Sequence, residues 1–197
     1  AAADLATRVH GSSDLFRDAA GVPDGHRRSV NHVVSHDGST LRDLVSYERR
    51  RNHANGHANR DGPDECRWNG GHEGPGAPAA VEAVRGRQMR NALVILLCSA
   101  GVPMIRMGDE MGQTQGGNTN PYRLDDETTW LDWSLRHADA GLLRFVRRLA
   151  ACRRSLPAIT RPGPWEEDVA WLGPDGPADF SPAARTLGWR VRARGLP

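Results

Sequence analysis

No lysine occurs among the 197 residues; all 26 basic positions are arginine. A bias this uniform reflects coding composition and carries no functional weight. Charge of one sign is also in short supply, with a formal net charge of +2. That excludes the strong basic field of a dedicated nucleic-acid binder. The longest purely apolar run, Ala92 to Cys98, is far too short to span a bilayer, so no membrane partner is expected. Cysteine is scarce: Cys66, Cys98 and Cys152 are widely spaced and form no CxxC pair. Neither a disulfide framework nor a zinc knuckle is supported, and a reducing cytoplasm is the simplest setting. Ala1-Ala2-Ala3-Asp4 offers no basic segment and no apolar h-region, so no signal peptide is expected. What is present, 38% hydrophobic and 25% charged residues, is the composition of a globular chain.

Along the chain, residues 1–29 are polar and turn-rich around Gly21-Val22-Pro23-Asp24-Gly25. Val30 to Ser35 reads as a short strand with β-branched Val30, Val33 and Val34, closed by His36-Asp37-Gly38. Thr40 is placed to cap a helix over Leu41–Arg51. Residues 52–79 form a long loop rich in Gly, Asn, Pro and His. A helix is predicted from about Ala80 to Ser99, with Val81, Val84, Met89, Ala92, Leu93, Leu96 and Leu97 on one side. Gly101 and Pro103 end it, and Met104–Met107 reads as a second strand, closed by Gly108-Asp109-Glu110. A second long loop covers 111–129. A last helix runs from near Asp139 to Arg154 on the stripe Leu142, Leu143, Val146, Leu149 and Ala150, and Pro157 stops it. Beyond residue 160, Pro and Gly are dense, and Asp168–Leu172 reads as a strand opening a β-rich segment.

The order strand, loop, helix, strand, loop, helix points to an α/β arrangement with parallel strands. In such folds chemistry gathers past the C-terminal strand ends. Both predicted strands end in acidic residues there, His36-Asp37 and Asp109-Glu110. A carboxylate at such a rim can stabilise an oxocarbenium-like transition state, and a neighbouring His can donate to a sugar hydroxyl. Asp-Gly is equally a common turn pair, and Asp109 can serve as a cap for its loop while Glu110 contacts substrate. His53, His57 and His72 lie in a Gly-Asn loop and read as solvated side chains rather than metal ligands. Trp130 and Trp133 read as packing residues of a Trp-Leu-Asp-Trp run, and Tyr122 is open to either role.

Taken together, these segments resemble the α-amylase superfamily, and within it the bacterial glycogen debranching enzymes and isoamylases. Gly11-Ser12-Ser13-Asp14-Leu15 resembles the segment before the seventh strand of the family's barrel, and VNHVVSHDGSTLRDLVSY (30–47) resembles that strand and its helix. NHANGHANRDG (52–62) resembles the debranching-type insertion, and GVPMIRMGDEMGQTQ (101–115) the eighth strand with its Gly-Asp-Glu loop. Residues 116–133 resemble the loop that closes on Trp-Leu-Asp-Trp, and the likeness extends over about residues 5–176. Ser39 stands where the family usually has Phe, His32 where an aromatic is typical, and Arg106 among aliphatic positions of the eighth strand.

The resemblance implies the C-terminal part of a (β/α)8 TIM barrel over residues 1–156, followed by the start of a β-sandwich over 157–197. It implies retaining hydrolysis of α-1,6-glucosidic branch linkages in glycogen or limit dextrin. Asp37 takes the role of transition-state stabiliser, with His36, Glu110, Tyr122 and Asp125 as substrate contacts. No metal or organic cofactor is implied. The family's nucleophile and general acid match no residue of the chain, so this polypeptide alone is expected to be inactive and to associate with the missing barrel part or with itself. Two other readings stay open: a non-catalytic glucan-binding module and a pseudogene product.

Overall fold

The computed structural model describes residues 2–22, 24, 28–63, 65–138, 140–160 and 168–192. By contacts the chain divides into two units, one of residues 1–31, 95–103 and 149–197 and the other of 32–94 and 104–148.

The first unit begins with α1 (Ala2–Val9), which buries Ala2, Ala6 and Val9. The stretch 1–29 is therefore not only polar turns: Ala2, Ala6 and Val9 recur at helical spacing on one side of this helix, and that stripe is enough to dock it. Two parallel strands follow, β1 (Val30–Asn31) and β2 (Val102–Pro103), in the register Val30↔Val102 and Asn31↔Pro103. Both are shorter than their sequence suggested, and β2 precedes the expected span, so Met104–Met107 is not a strand. The pairing is extended by Val102 N–H donating to Ser29 O at 2.8 Å, and the Asn31 amide donates to Ala100 O. β-branched residues alone make no ladder where the backbone finds no partner.

A three-stranded antiparallel sheet in the order β4-β3-β5 completes this unit: β3 (Val169–Gly173), β4 (Gly176–Pro177) and β5 (Gly188–Val191). Val9, Ala100 and Ile159 form its buried core, flanked by Leu5, Ile95, Leu156, Val169, Trp171, Trp189 and Val191. Trp171 meets Trp189 and Phe180 at centroid distances of 6.3 and 6.4 Å. Arg153 closes the C-terminal end of the long helix by donating to the carbonyls of Leu97, Ser99 and Gly101 at 2.7, 2.7 and 2.6 Å, satisfying acceptors that a helix end leaves orphaned. Pro157 does not simply stop the preceding helix. It begins a further turn over Pro157–Thr160, a position where its missing N–H costs nothing.

The second unit carries α2 (Leu41–Leu44), most of α3 (Ala79–Leu97), α4 (Leu135–Ala138) and most of α5 (Ala140–Ser155), with 3₁₀ turns at His53–Asn55 and Asp109–Met111. Helix α3 matches its predicted span, and Met89 and Leu93 are buried on it as the apolar period required. Leu142 and Val146 are buried on α5; the predicted starting residue, Asp139, lies outside the described residues. Thr40 caps α2 as predicted, its hydroxyl accepting from Asp43 N–H at 3.0 Å. The helix then ends seven residues earlier than expected. Beyond it Glu48 N–H donates to Glu73, and Arg51 N–H to Gly117 O, so these donors are spent on other segments.

Candidate active site

The His36-Asp37 tip is solvated. Its side chains are 88% and 76% exposed, and His36 Nε2 lies 3.4 Å from Asp37 Oδ2. Immediately behind the tip the chain sinks: Ser39, Thr40 and Asp43 are fully buried and Leu41 nearly so. Each of three backbone donors in this stretch reaches a different segment. Gly38 N–H donates to Thr119 O at 3.0 Å, Ser39 N–H to the Glu65 carboxylate at 3.1 Å, and Leu41 N–H to Asp109 Oδ1 at 2.8 Å.

Asp109 is thus a tie for the rim: its carboxylate holds the remote Leu41 N–H instead of capping the loop that follows it. Burial pushes its pKa from 3.8 to about 7; the Leu41 N–H bond and the nearby Arg106 cation oppose the rise. Asp43 lies deeper. It accepts from the Thr114 hydroxyl at 2.5 Å, Gln115 N–H at 2.8 Å and Gly117 N–H at 3.2 Å. Burial raises its pKa above 3.8 against those hydrogen bonds.

The two long loops form one polar core. Asn52 is fully buried, donating to Asp61 O at 2.7 Å and Thr119 Oγ1 at 2.9 Å while accepting from Thr119 N–H at 2.8 Å. Asn55 donates to Asp61 Oδ2 and Asn120 O, both at 2.7 Å, and accepts from the Asn118 amide at 2.8 Å. Gly62 is required at their junction. Its φ is +81°, and a Cβ there would sit 2.6 Å from Thr119 Oγ1 and 2.7 Å from Asn52 Nδ2.

The remaining predicted contacts lie on loops tied to this frame. Glu110 follows Asp109 in its 3₁₀ turn and accepts from Gly108 N–H at 3.0 Å. Tyr122 is 72% exposed, three residues beyond the Thr119 anchor. Asp125 accepts from the Trp130 indole at 2.9 Å. Among the described residues no hydrogen bond joins these side chains to His36 or Asp37; the backbone ties connect the segments that carry them. Trp130 and Trp133 are mostly exposed rather than packed. Among the described residues no group of three or more His, Cys, Asp and Glu side chains could hold a metal ion, and no helix is long and apolar enough to cross a membrane. A cavity of about 610 Å³, lined by Arg42, Tyr47, Met89, Met111 and others, includes neither His36 nor Asp37.

The chain is 44% identical over 184 residues to the "Glycogen operon protein GlgX homolog" of Mycobacterium tuberculosis, covering 88% of this chain and 25% of that protein. It is 43% identical over 177 residues to the glycogen debranching enzyme of Erwinia tasmaniensis, covering 88% of this chain and 26% of that enzyme. The chain is homologous to bacterial glycogen debranching enzymes. It spans about a quarter of the length of these curated relatives. No family model matches it. Among solved structures, the pullulanase of Bacillus acidopullulyticus superposes with a TM-score of 0.62 at 22% identity, over 86% of this chain and 17% of that one. The Paenibacillus barengoltzii pullulanase, crystallised with maltohexaose and α-cyclodextrin, does so with a TM-score of 0.61 at 25% identity, over 86% and 22%. The mixed α/β fold is thus shared with pullulanases.

For this debranching-enzyme homologue, the sequence reading missed Asn52, Asn55, Asp43, Glu65 and Arg85 as organisers of the site's frame. Arg85 is fully buried on α3 and donates to the carbonyls of Gly74, Asn69 and His72 and to Glu82. A usable signal existed: an arginine on the apolar stripe of a helix must find acceptors.

Proposed function

We propose that the chain is a segment of a glycogen debranching glycoside hydrolase that cleaves α-1,6 branch linkages of glycogen or limit dextrin. In this reading residues 1–156 are the last part of a (β/α)8 barrel, with the segments around β1 and β2 as its seventh and eighth strands. Residues 157–197 open a β-sandwich, and the setting is cytoplasmic. Asp37 stabilises the oxocarbenium-like transition state and orients the sugar; His36, Glu110, Tyr122 and Asp125 contact the glucan.

The observation that carries the reading is the solvated His36–Asp37 pair on a backbone anchored at Gly38, Ser39 and Leu41. Transition-state stabilisation needs a carboxylate that is accessible yet held still before the charge develops. Asp37 meets both conditions, whereas Asp43 and Asp109 are buried and already bonded. Glu110 and Asp125 each spend an acceptor on a local bond, so their sugar contacts use the remaining oxygen lone pairs.

Retaining hydrolysis needs two carboxyls about 5–5.5 Å apart, and Asp37 supplies neither the nucleophile nor the acid. The 197-residue polypeptide by itself is therefore expected to release no reducing ends from a branched limit dextrin. Val30 and Val102 are 56% and 52% exposed on their strands, surface that suits association with the rest of a barrel or with another copy.

The test is a chimera of the Mycobacterium tuberculosis relative in which the matched segment is replaced by this chain. Debranching should persist, and Asp37→Ala should lower kcat by roughly 10²–10³-fold or more. A folded chimera without debranching activity, or turnover insensitive to Asp37→Ala, rejects the reading.

A further inference from the structure

We propose that Glu65 and Arg67 are a positioning pair for the His36–Asp37 turn, setting how both side chains meet a glucan. The inference rests on reading His36 and Asp37 as sugar-facing, and adds to it a device on another loop that controls their placement.

The geometry is specific. Both Glu65 carboxylate oxygens lie 3.1 Å from Ser39 N–H, and Oε2 also accepts from Arg67 Nε and Nη2 at 3.2 and 3.1 Å. The Arg67 side chain is only 2% exposed and that of Glu65 20%. A guanidinium this deeply buried fixes its partner rather than sampling alternatives. Gly38 completes the fit. It stands at φ +128°, and the Glu65 carboxylate fills the space a Cβ would take. The backbone angle calls for glycine after Asp37, and any side chain there would have to displace the Glu65 carboxylate from Ser39 N–H.

Asp37 is therefore followed by two successive N–H groups with remote acceptors, Gly38 on Thr119 O and Ser39 on Glu65. Among the described residues, neither the His36 nor the Asp37 side chain is held by anything beyond their mutual contact. Their direction is set through the backbone. Near-attack geometry tolerates little error in such a placement. Of the two anchors, the Thr119 carbonyl belongs to the Asn-rich polar core, whereas the Glu65 carboxylate bonds only to Ser39 and Arg67 among the described residues and can be changed alone; Arg67 reaches that loop through one long bond to Gly117 O at 3.5 Å.

Glutamine is the informative substitution. A carboxylate has acceptor sites for Arg67 and Ser39 together; an amide has one oxygen, and its NH2 faces donors. Glu65→Gln keeps the shape and loses the double role. Glu65→Asp keeps both oxygens on a shorter stem. Glu48→Gln alters a neighbouring carboxylate that lines the same small cavity without touching the turn.

The experiment is amide hydrogen exchange of the full 197-residue chain read by mass spectrometry, with and without maltohexaose, alongside the maltohexaose dissociation constant. Expected in Glu65→Gln is exchange at least 10-fold faster over residues 36–39, unchanged exchange in β3, and a dissociation constant raised about 10-fold. Glu65→Asp should recover most of both, and Glu48→Gln should change neither. Unchanged exchange at 36–39 in Glu65→Gln overturns the proposal, as does faster exchange with unaltered affinity, which would make the pair merely structural. If the unsubstituted chain neither binds maltohexaose nor shows protection at 36–39, the sugar-facing reading itself fails and the proposal with it. Binding that is present but indifferent to Glu65→Gln defeats the positioning role alone.

Discussion

Asp37 and Asp43 stand six positions apart and live in opposite environments. The first is 76% exposed, with His36 as its near neighbour. The second is fully buried and accepts hydrogen bonds from Thr114, Gln115 and Gly117. Asp37 lies in the turn after β1, and Asp43 lies in α2, the helix that follows it. One is free to meet a ligand because the other, with Asp109 and Glu65, has taken over the work of holding the loops. Accessible chemistry at this rim thus sits on a frame made of buried polar groups, and the role of each carboxylate follows from its solvation, not its residue type.

The largest effect should come from removing the frame. Asp43→Ala strands two buried backbone N–H groups, those of Gln115 and Gly117, at about 1–3 kcal/mol each, while the exposed Thr114 hydroxyl can turn to water. A loss of roughly 3–5 kcal/mol in unfolding free energy is expected from the shift of the urea midpoint. A loss as small as that of an exposed aspartate would erase the distinction between the two.

An intermediate effect should appear as pH dependence. The Asp109 pKa rises from 3.8 to about 7 in the folded chain, chiefly through burial. Between those values the native state holds a proton that the unfolded state has released. The stabilisation is complete below about pH 4, falls as pH rises, and is gone above about pH 7. At about 1.4 kcal/mol per pKa unit, the change amounts to a few kcal/mol. Asp109→Asn, which keeps an acceptor for Leu41 N–H, should be nearly flat over that window relative to the unsubstituted chain in paired melts. Parallel curves would mean that Asp109 is ionised throughout, like a surface carboxylate.

The smallest stability effect belongs to Asp37→Ala, within about 0.5 kcal/mol, since an exposed side chain outside any network contributes little. The same substitution should cost the chimeric enzyme its turnover. A marked loss of stability would move Asp37 from the presented group to the frame.

Much of the local structure was legible beforehand. The apolar period of α3, the stripe on α5 and the Thr40 cap depend on neighbours within one or two turns, and each was readable from spacing. Strand β1 was legible in kind but not in length, and β2 lies ahead of its expected span: the β-branched stretch to Ser35 continues after pairing stops at Asn31, because a ladder needs a partner that Val33 and Val34 cannot specify. Helix α2 was overextended for a related reason, its following donors being drawn to Glu73 and Gly117. The His-Asp-Gly and Asp-Glu motifs were legible as rim candidates. The polar core behind them was not, although its asparagines were in plain view.

Sequence by itself determined the long helices α3 and α5, the order of the motifs and the kinship with debranching enzymes, because these are carried by short spacings and by identity along the chain. Tertiary structure decided which polar residues are functional surface and which are frame. Asn52 meets Thr119 across 67 residues and Asp43 meets Gly117 across 74. Whether a carboxylate or an amide is solvated depends on what folds over it, and no local pattern encodes that cover.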